Sequence, residues 1–217
     1  MQIDVRNIKA AIFDMDGTMV NNMDYHKKAW KIFCSRYGID LTDEAFHEKI
    51  SGKKNSEIFT LLFGKTLSLA EEAKYTEEKE QIYREIYGKA VQEITGLKKI
   101  INELHARKIL LGIATTASAK NRIFILEKLA ISPDLFSVIL GDEDVTKGKP
   151  DPEIYLKAAQ MLHISPAACL VFEDSPAGVM AAKNAGTRVV GILSTHTKEE
   201  LQNADYTIEH FSQITFL

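Results

Sequence analysis

The chain is poor in cysteine: Cys34 and Cys169 are the two among 217 residues, and they lie far apart. That excludes a disulfide scaffold and suits a reducing interior. Long hydrophobic runs are absent too, and no stretch approaches the about 20 apolar residues that a membrane-spanning helix needs. Charge of one sign is also lacking: 27 Lys and Arg stand against 30 Asp and Glu, for a net charge of −3. With no basic stripe there is no electrostatic footprint for nucleic acid. No repeat, low-complexity tract or coiled-coil seam is visible, so a monomer is expected. Met1 to Lys9 is polar and the apolar run behind it is short, unlike a secretory leader. A cytoplasmic protein without a membrane partner is the expectation.

Hydrophobic residues still make up 45% of the chain, enough for a packed core in one large domain or two small ones. One stretch organises the rest, Ala10-Ala11-Ile12-Phe13-Asp14-Met15-Asp16-Gly17-Thr18. Its apolar part predicts a strand buried on both faces. It stops at two carboxylates one residue apart, and Gly17 marks a sharp turn or a close approach to the backbone. Ligands of open α/β sheets sit outside the carboxyl ends of the strands, so these carboxylates stand where chemistry is done. Asp and Gly are also ordinary turn residues, so partners at other strand ends must decide between the two readings.

From residue 22 to 94 the pattern is helical throughout. Asn22 to Tyr37 carries Met23, His26, Ala29, Trp30 and Phe33 at helical spacing, and Gly38 ends it. Thr42 or Asp43 caps a short helix to Ile50, and Ser51 to Asn55 is a polar turn. Ser56 to Phe63 is helical again. Leu69 to about Ile94 reads as one long helix with Gly88 as its weak point. Its Glu71, Glu72, Glu77, Glu78 and Glu80 among Lys74, Lys79 and Arg84 suggest a solvated face.

After Thr95-Gly96 the grammar changes. Helices Leu97 to Arg107, Ala119 to Leu129 and Glu153 to Leu162 alternate with strands at Ile109 to Ala114, Ser137 to Leu140 and Cys169 to Phe172. Ser175 is a helix cap, Pro176 fits the first turn and Gly186 follows the helix end. Two further strands cover Arg188 to Leu193 and Tyr206 to Glu209. Strands alternating with helices predict an α/β fold with a doubly wound, Rossmann-like parallel sheet. The expected domains are a core of 1–20 with 96–217 and an inserted all-helical domain of 21–95.

Four polar clusters then fall on strand ends: Asp14 with Asp16, Thr115, Lys149 in the loop after a third strand, and Glu173-Asp174. Parallel strands end on one edge, so these groups can converge on one crevice. Several carboxylates brought close raise one another's pKa unless a cation neutralises them. A hard divalent ion such as Mg²⁺ does so, with one or two carboxylates plus substrate phosphate and water. Lys149, or its rival Lys147, supplies a point charge for an anionic substrate. Thr115 adds a hydroxyl, and the N–H groups of Thr116 and Ala117 can cradle phosphate oxygens. Each residue has an ordinary structural use as well, and Glu173-Asp174 could simply cap a helix. Their concurrence carries the argument.

In this order the motifs resemble those of the haloacid dehalogenase superfamily. Asp14-Met-Asp-Gly-Thr matches its Asp-x-Asp motif, Thr115 its Ser/Thr, Lys149 its Lys and Glu173-Asp174 its acidic pair. The match runs from residue 12 to about 186. The helical insertion resembles that superfamily's cap, most nearly in the β-phosphoglucomutase-like phosphatases. The resemblance implies that Asp14 attacks phosphorus and forms an aspartyl-phosphate, with Asp16 as general acid and then base. It implies Mg²⁺ held by the Asp14 side chain, the Asp16 carbonyl and Asp174, with Glu173 a ligand or a neighbour of one. Thr115 and Lys149 would stabilise the transferring phosphoryl.

In the cap, His26, Trp30, Gly52, Lys53 and Asn55 are candidates for substrate contact. His26 packed at the hinge and Trp30 as helix core are the competing readings. β-Phosphoglucomutase supplies an arginine for the distal phosphate at the position of Asn55, and Asn21-Asn22 also depart from its pattern. Lys53 or Lys54 lacks the bidentate fork of arginine. The expectation is a Mg²⁺-dependent phosphatase of a small phosphorylated metabolite, with a sugar phosphate foremost. A mutase interconverting β-glucose 1-phosphate and glucose 6-phosphate is the alternative.

Overall fold

The structure, a computed structural model, describes residues 1–50 and 55–217. Gly52, Lys53 and Lys54 of the polar turn lie outside the described residues. The chain forms two units, one of residues 1–21 with 91–217 and one of residues 22–90. Strand β1 (Gln2–Ile3) precedes β2 (Ala10–Phe13), whose four residues are all fully buried. A strand buried on both faces needs an unbroken apolar run, which is what Ala10 to Phe13 supplies.

The helical unit follows, with α1 (Met23–Arg36), α2 (Asp43–Lys49), α3 (Asn55–Phe63) and α4 (Leu69–Tyr87). The Thr42 hydroxyl caps α2 by accepting from the Ala45 N–H. Ser68 and Glu71 form a reciprocal capping box that starts α4. Phe33 is the centre of the unit's core, with the rings of Tyr37, Trp30, Phe59, Tyr75 and Phe63 at centroid separations of 5.0 to 6.5 Å.

Two sequence expectations fail in this region. The helix from Leu69 stops at Tyr87 rather than near Ile94. Gly88 follows it, and the chain beyond pairs elsewhere: the Ile94 N–H donates to the Met19 carbonyl at 2.9 Å and Glu93 bridges Val20. That pairing satisfies backbone groups that a longer helix would have used internally. Lys79 is not solvated either. It is 5% exposed, because it shares the buried face of α4 with Ile82, Tyr83 and Tyr87. Its ammonium meets Glu80 at 2.7 Å and His26 Nδ1 at 3.0 Å, and lies 5.2 Å from the centre of the Trp30 ring.

The α/β unit resumes with α5 (Leu97–Ala106), β3 (Leu110–Ala114), α6 (Ala119–Lys128) and β4 (Val138–Leu140). It continues through α7 (Glu153–Met161), β5 (Cys169–Glu173), α8 (Pro176–Asn184), β6 (Arg188–Ile192), β7 (Tyr206–Ile208) and β8 (Thr215–Phe216). Six parallel strands form one sheet in the order β4-β3-β2-β5-β6-β7, and β1 pairs with β8 apart from it. The winding reverses at β2, the point where open sheets leave a crevice. Phe13 is in register with Ile113 on one side and Phe172 on the other. Asp14 therefore leaves the sheet level with Ala114 and Glu173.

Replacing Phe33 by Ala should cost about 3–5 kcal/mol, the usual range for a fully buried phenylalanine. Urea unfolding followed by the fluorescence of Trp30, the single tryptophan, would measure it. An unchanged midpoint would show that the ring cluster contributes little.

Candidate active site

The site begins where β2 ends. The Asp14 N–H still donates to the Phe172 carbonyl at 3.0 Å, so the carboxylate projects from a fixed backbone. Asp16 is half-buried two residues on. The chain turns at Gly17, whose φ of +79° suits glycine, and a Cβ there would lie 2.0 Å from Asp174 Oδ2. The turn closes with the Gly17 N–H on the Val20 carbonyl at 2.8 Å. Asp174 thus packs directly on the turn that follows Asp14.

Lys149 joins the strand ends. Its Nζ donates to Asp14 Oδ1 at 2.7 Å, to Glu173 Oε1 at 2.5 Å and to the Ala114 carbonyl at 3.4 Å. These are the three residues that the register places level with one another. Lys147, its rival in the sequence, is exposed and pairs with Asp151 at 3.5 Å.

Glu173 and Asp174 are adjacent but differ in surroundings. Glu173 accepts from Lys149, from the Tyr155 hydroxyl at 2.9 Å, from the Asp174 and Ser175 N–H groups at 2.9 and 3.0 Å, and from the Ser175 hydroxyl at 3.1 Å. Burial pushes its pKa up, but Lys149 and these donors outweigh burial and hold it below the usual value. Asp174 accepts from the hydroxyls of Thr18, at 3.3 Å, and Thr195. Burial, then the charge of Glu173, pushes its pKa up to about 7. Burial, joined by Glu173 and Asp174, also lifts Asp14 well above the carboxylate range despite Lys149. Lys149 stays charged because Asp14 and Glu173 outweigh its burial.

One ammonium thus faces three buried carboxylates. The donors are hard oxygens and the excess charge is negative, which fits a divalent cation such as Mg²⁺. Among the described residues no three acidic, histidine or cysteine side chains enclose an ion by themselves. An ion that takes two carboxylates and fills its shell with carbonyl, water and substrate oxygens needs no such cluster.

Beside this group Thr115 follows the end of β3, buried, with its Oγ1 accepting from the Ala117 N–H at 3.2 Å. Thr116 is exposed and Ala117 buried. In the helical unit the His26 ring stacks on Tyr83 at 3.9 Å and Trp30 packs against Phe33 and Phe59 at 5.7 Å. The Asn55 amide donates to the Thr76 hydroxyl at 3.2 Å. Gly52 and Lys53 are outside the described residues.

A haloacid dehalogenase-like hydrolase family model matches residues 11–192. The chain belongs to that family. The hydrolase is 34% identical to a β-phosphoglucomutase of Bacillus subtilis, over 96% of this chain and 92% of that one. It is 30% identical to a phosphorylated carbohydrates phosphatase of Thermotoga maritima, over 86% of each. A solved HAD hydrolase of family IA, variant 3, from Entamoeba histolytica superposes with a TM-score of 0.86 at 30% identity, over 96% of each chain. The hydrolase is a phosphohydrolase by family, and no described helix is long and apolar enough to cross a membrane.

The sequence reading missed the hydroxyls around the carboxylates. Thr195 holds Asp174, and Ser194 donates to the Gly17 carbonyl. Both follow the end of β6, so the strand-end argument applied once more would have found them. Tyr155 had no signal, since its helical spacing marked it only as core.

An Asp174 proton held to about pH 7 in the folded hydrolase leaves near 3.8 in the unfolded chain. The folded state binds more protons between these values, so stability is lost as pH rises through that window. With EDTA present, stability should fall from about pH 4 to about pH 7, and Asp174→Asn should flatten the fall. Denaturant unfolding across that range tests this. An equally steep fall in the variant would place the excess charge elsewhere.

Proposed function

We propose that the chain is a Mg²⁺-dependent phosphatase of a small phosphorylated metabolite, a sugar phosphate by class, working through an aspartyl-phosphate. The observation that carries the reading is Lys149 bonded to both Asp14 and Glu173 at the edge where β2 ends. Asp14 attacks phosphorus, its oxygen forming a bond as the ester oxygen leaves with the electron pair. Asp16 gives that oxygen a proton, then takes one from the water that cleaves the aspartyl-phosphate. The Thr115 oxygen accepts from Ala117, which leaves its own hydrogen for a phosphate oxygen. The Ala117 N–H, expected from the sequence to hold phosphate, is taken by Thr115, so the Thr116 N–H and Lys149 complete the phosphate pocket, stabilising charge as it spreads over the phosphoryl oxygens.

Asp14, the Asp16 carbonyl and Asp174 are the residues that would hold Mg²⁺. Glu173, with its five donors, braces Lys149 instead. When bound, the ion supplies positive charge that keeps Asp14 ionised and screens the phosphate.

The sugar-phosphate class is supported by the relatives' names, a β-phosphoglucomutase and a phosphorylated carbohydrates phosphatase. The 34% identity to the mutase favours a second reading, phosphate transfer within a sugar. Against it stands Asn55, a neutral amide paired with a neutral hydroxyl, where the resemblance expects an arginine for a second phosphate.

Phosphate release with Mg²⁺ over sugar phosphates, nucleotides and pyrophosphate separates the two readings when β-glucose 1-phosphate is run beside them for isomerisation. Release from several esters without isomerisation supports the phosphatase, and efficient isomerisation with little free phosphate rejects it. Asp14→Asn should lower turnover by about a thousandfold or more with the fold intact, and substantial residual activity would refute the nucleophile. Asn55→Arg should raise isomerisation of β-glucose 1-phosphate in the presence of the bisphosphate. An unchanged rate would show that this position does not decide the outcome.

A further inference from the structure

One charged side chain near the proposed phosphate pocket takes no part in that chemistry. Arg122, in the first turns of α6, is 8% exposed, and arginine is seldom buried without a partner. Its Nη1 donates to the Ala117 carbonyl at 2.7 Å and to Glu143 Oε2 at 3.2 Å, and its Nη2 donates to Glu143 Oε1 at 2.5 Å. Glu143 follows the end of β4, so the guanidinium ties the loops after two neighbouring strands. Its hydrogen bonds from Arg122 hold the Glu143 pKa below the usual range.

Gly141 leaves room for this arrangement. A Cβ there would lie 1.7 Å from Arg122 Nη1 and 2.3 Å from Glu143 Oε2. The Gly141 backbone is extended, with φ −120°, a conformation open to any residue. Space for the guanidinium, and not backbone freedom, is what glycine provides at this point.

We propose that Arg122 is a positioning residue that pre-sets the phosphate-holding turn through the Ala117 carbonyl. This rests on the proposed phosphate pocket. Ala117 is fixed at both ends, its N–H on Thr115 and its carbonyl on Arg122. The turn that carries Thr116 is thereby held between Thr115 and Arg122. Donors held in place before substrate arrives need no ordering on binding. Without the guanidinium the Ala117 carbonyl turns to water, and the turn must be ordered each time a phosphate binds. Ground and transition states lose this equally, so KM and the inhibition constant of phosphate rise while kcat changes less.

The test uses the whole chain with Mg²⁺ and p-nitrophenyl phosphate, and inorganic phosphate as competitive inhibitor. Arg122→Met should raise KM and the phosphate inhibition constant about tenfold, as expected for one hydrogen bond from a charged donor. Gly141→Ala, which displaces the guanidinium while keeping every partner, should do the same. The double variant should be no worse than either single one, and Arg122→Lys should recover part of the loss. If Arg122→Met does not fold, Gly141→Ala and Arg122→Lys carry the test. The proposal is overturned if these variants stay within about twofold of the parent while Thr115→Ala weakens phosphate binding. If Thr115→Ala also has no effect, the phosphate pocket itself is misplaced, and the role of Arg122 falls with it.

Discussion

The buried ammonium of Lys149 is the constraint that the rest of the site is built around. Lysine is rarely buried unless paired, and here it meets Asp14 and Glu173 with side-chain exposures of 8% and 1%. Removing one partner from such a group costs about 3–5 kcal/mol, because the charge left behind has neither water nor counter-ion. Three strands must end level with one another for these contacts to form at once, and the parallel register of β3, β2 and β5 ensures that they do. The sheet is thus an alignment device. The same alignment leaves more negative than positive charge at its edge, a condition that stability alone would not favour.

Uncharged donors decide how that excess is shared. Glu173 collects hydrogen bonds from a phenol, a hydroxyl and two backbone amides besides Lys149 and remains a firm anion. Asp174, its neighbour in the chain, has two hydroxyls and holds its proton to about pH 7. Two adjacent carboxylates in one buried setting therefore do different work. One is a strut for the lysine, and the other is a carboxyl poised to gain or lose its proton.

Much of this was legible in the sequence because strand ends leave plain marks. Apolar runs that stop abruptly at Asp14, Thr115 and Glu173 give both the sheet and the edge on which its charged side chains gather. What stayed hidden depends on direction, which a sequence does not display. Lys79 lies in helical register with Ile82, Tyr83 and Tyr87, yet its charge outweighed its spacing and suggested solvent. The long helix was carried past Gly88 because Glu93 and Ile94 continue its composition, whereas their backbone pairs with Val20 and Met19. Lys149 and Lys147 are two residues apart with similar flanks, and only the turn of the loop separates a buried ammonium from an exposed one.

The insertion of the helical unit after β2 has a consequence for how the chain comes into being. β2 is the first strand of the six-stranded sheet to be made, yet its two partners, β3 and β5, lie roughly 100 and 160 residues further along, pairings of the kind that slow folding. During synthesis an apolar strand with both edges open must wait, while the helices behind it can already pack locally. Such an edge invites pairing with other chains. The polar residues that bound Ala10 to Phe13, Lys9 on one side and Asp14 on the other, keep that exposed segment short. On this view Asp14 serves the chain twice, once as a charge that discourages aggregation and later at the finished edge of the sheet.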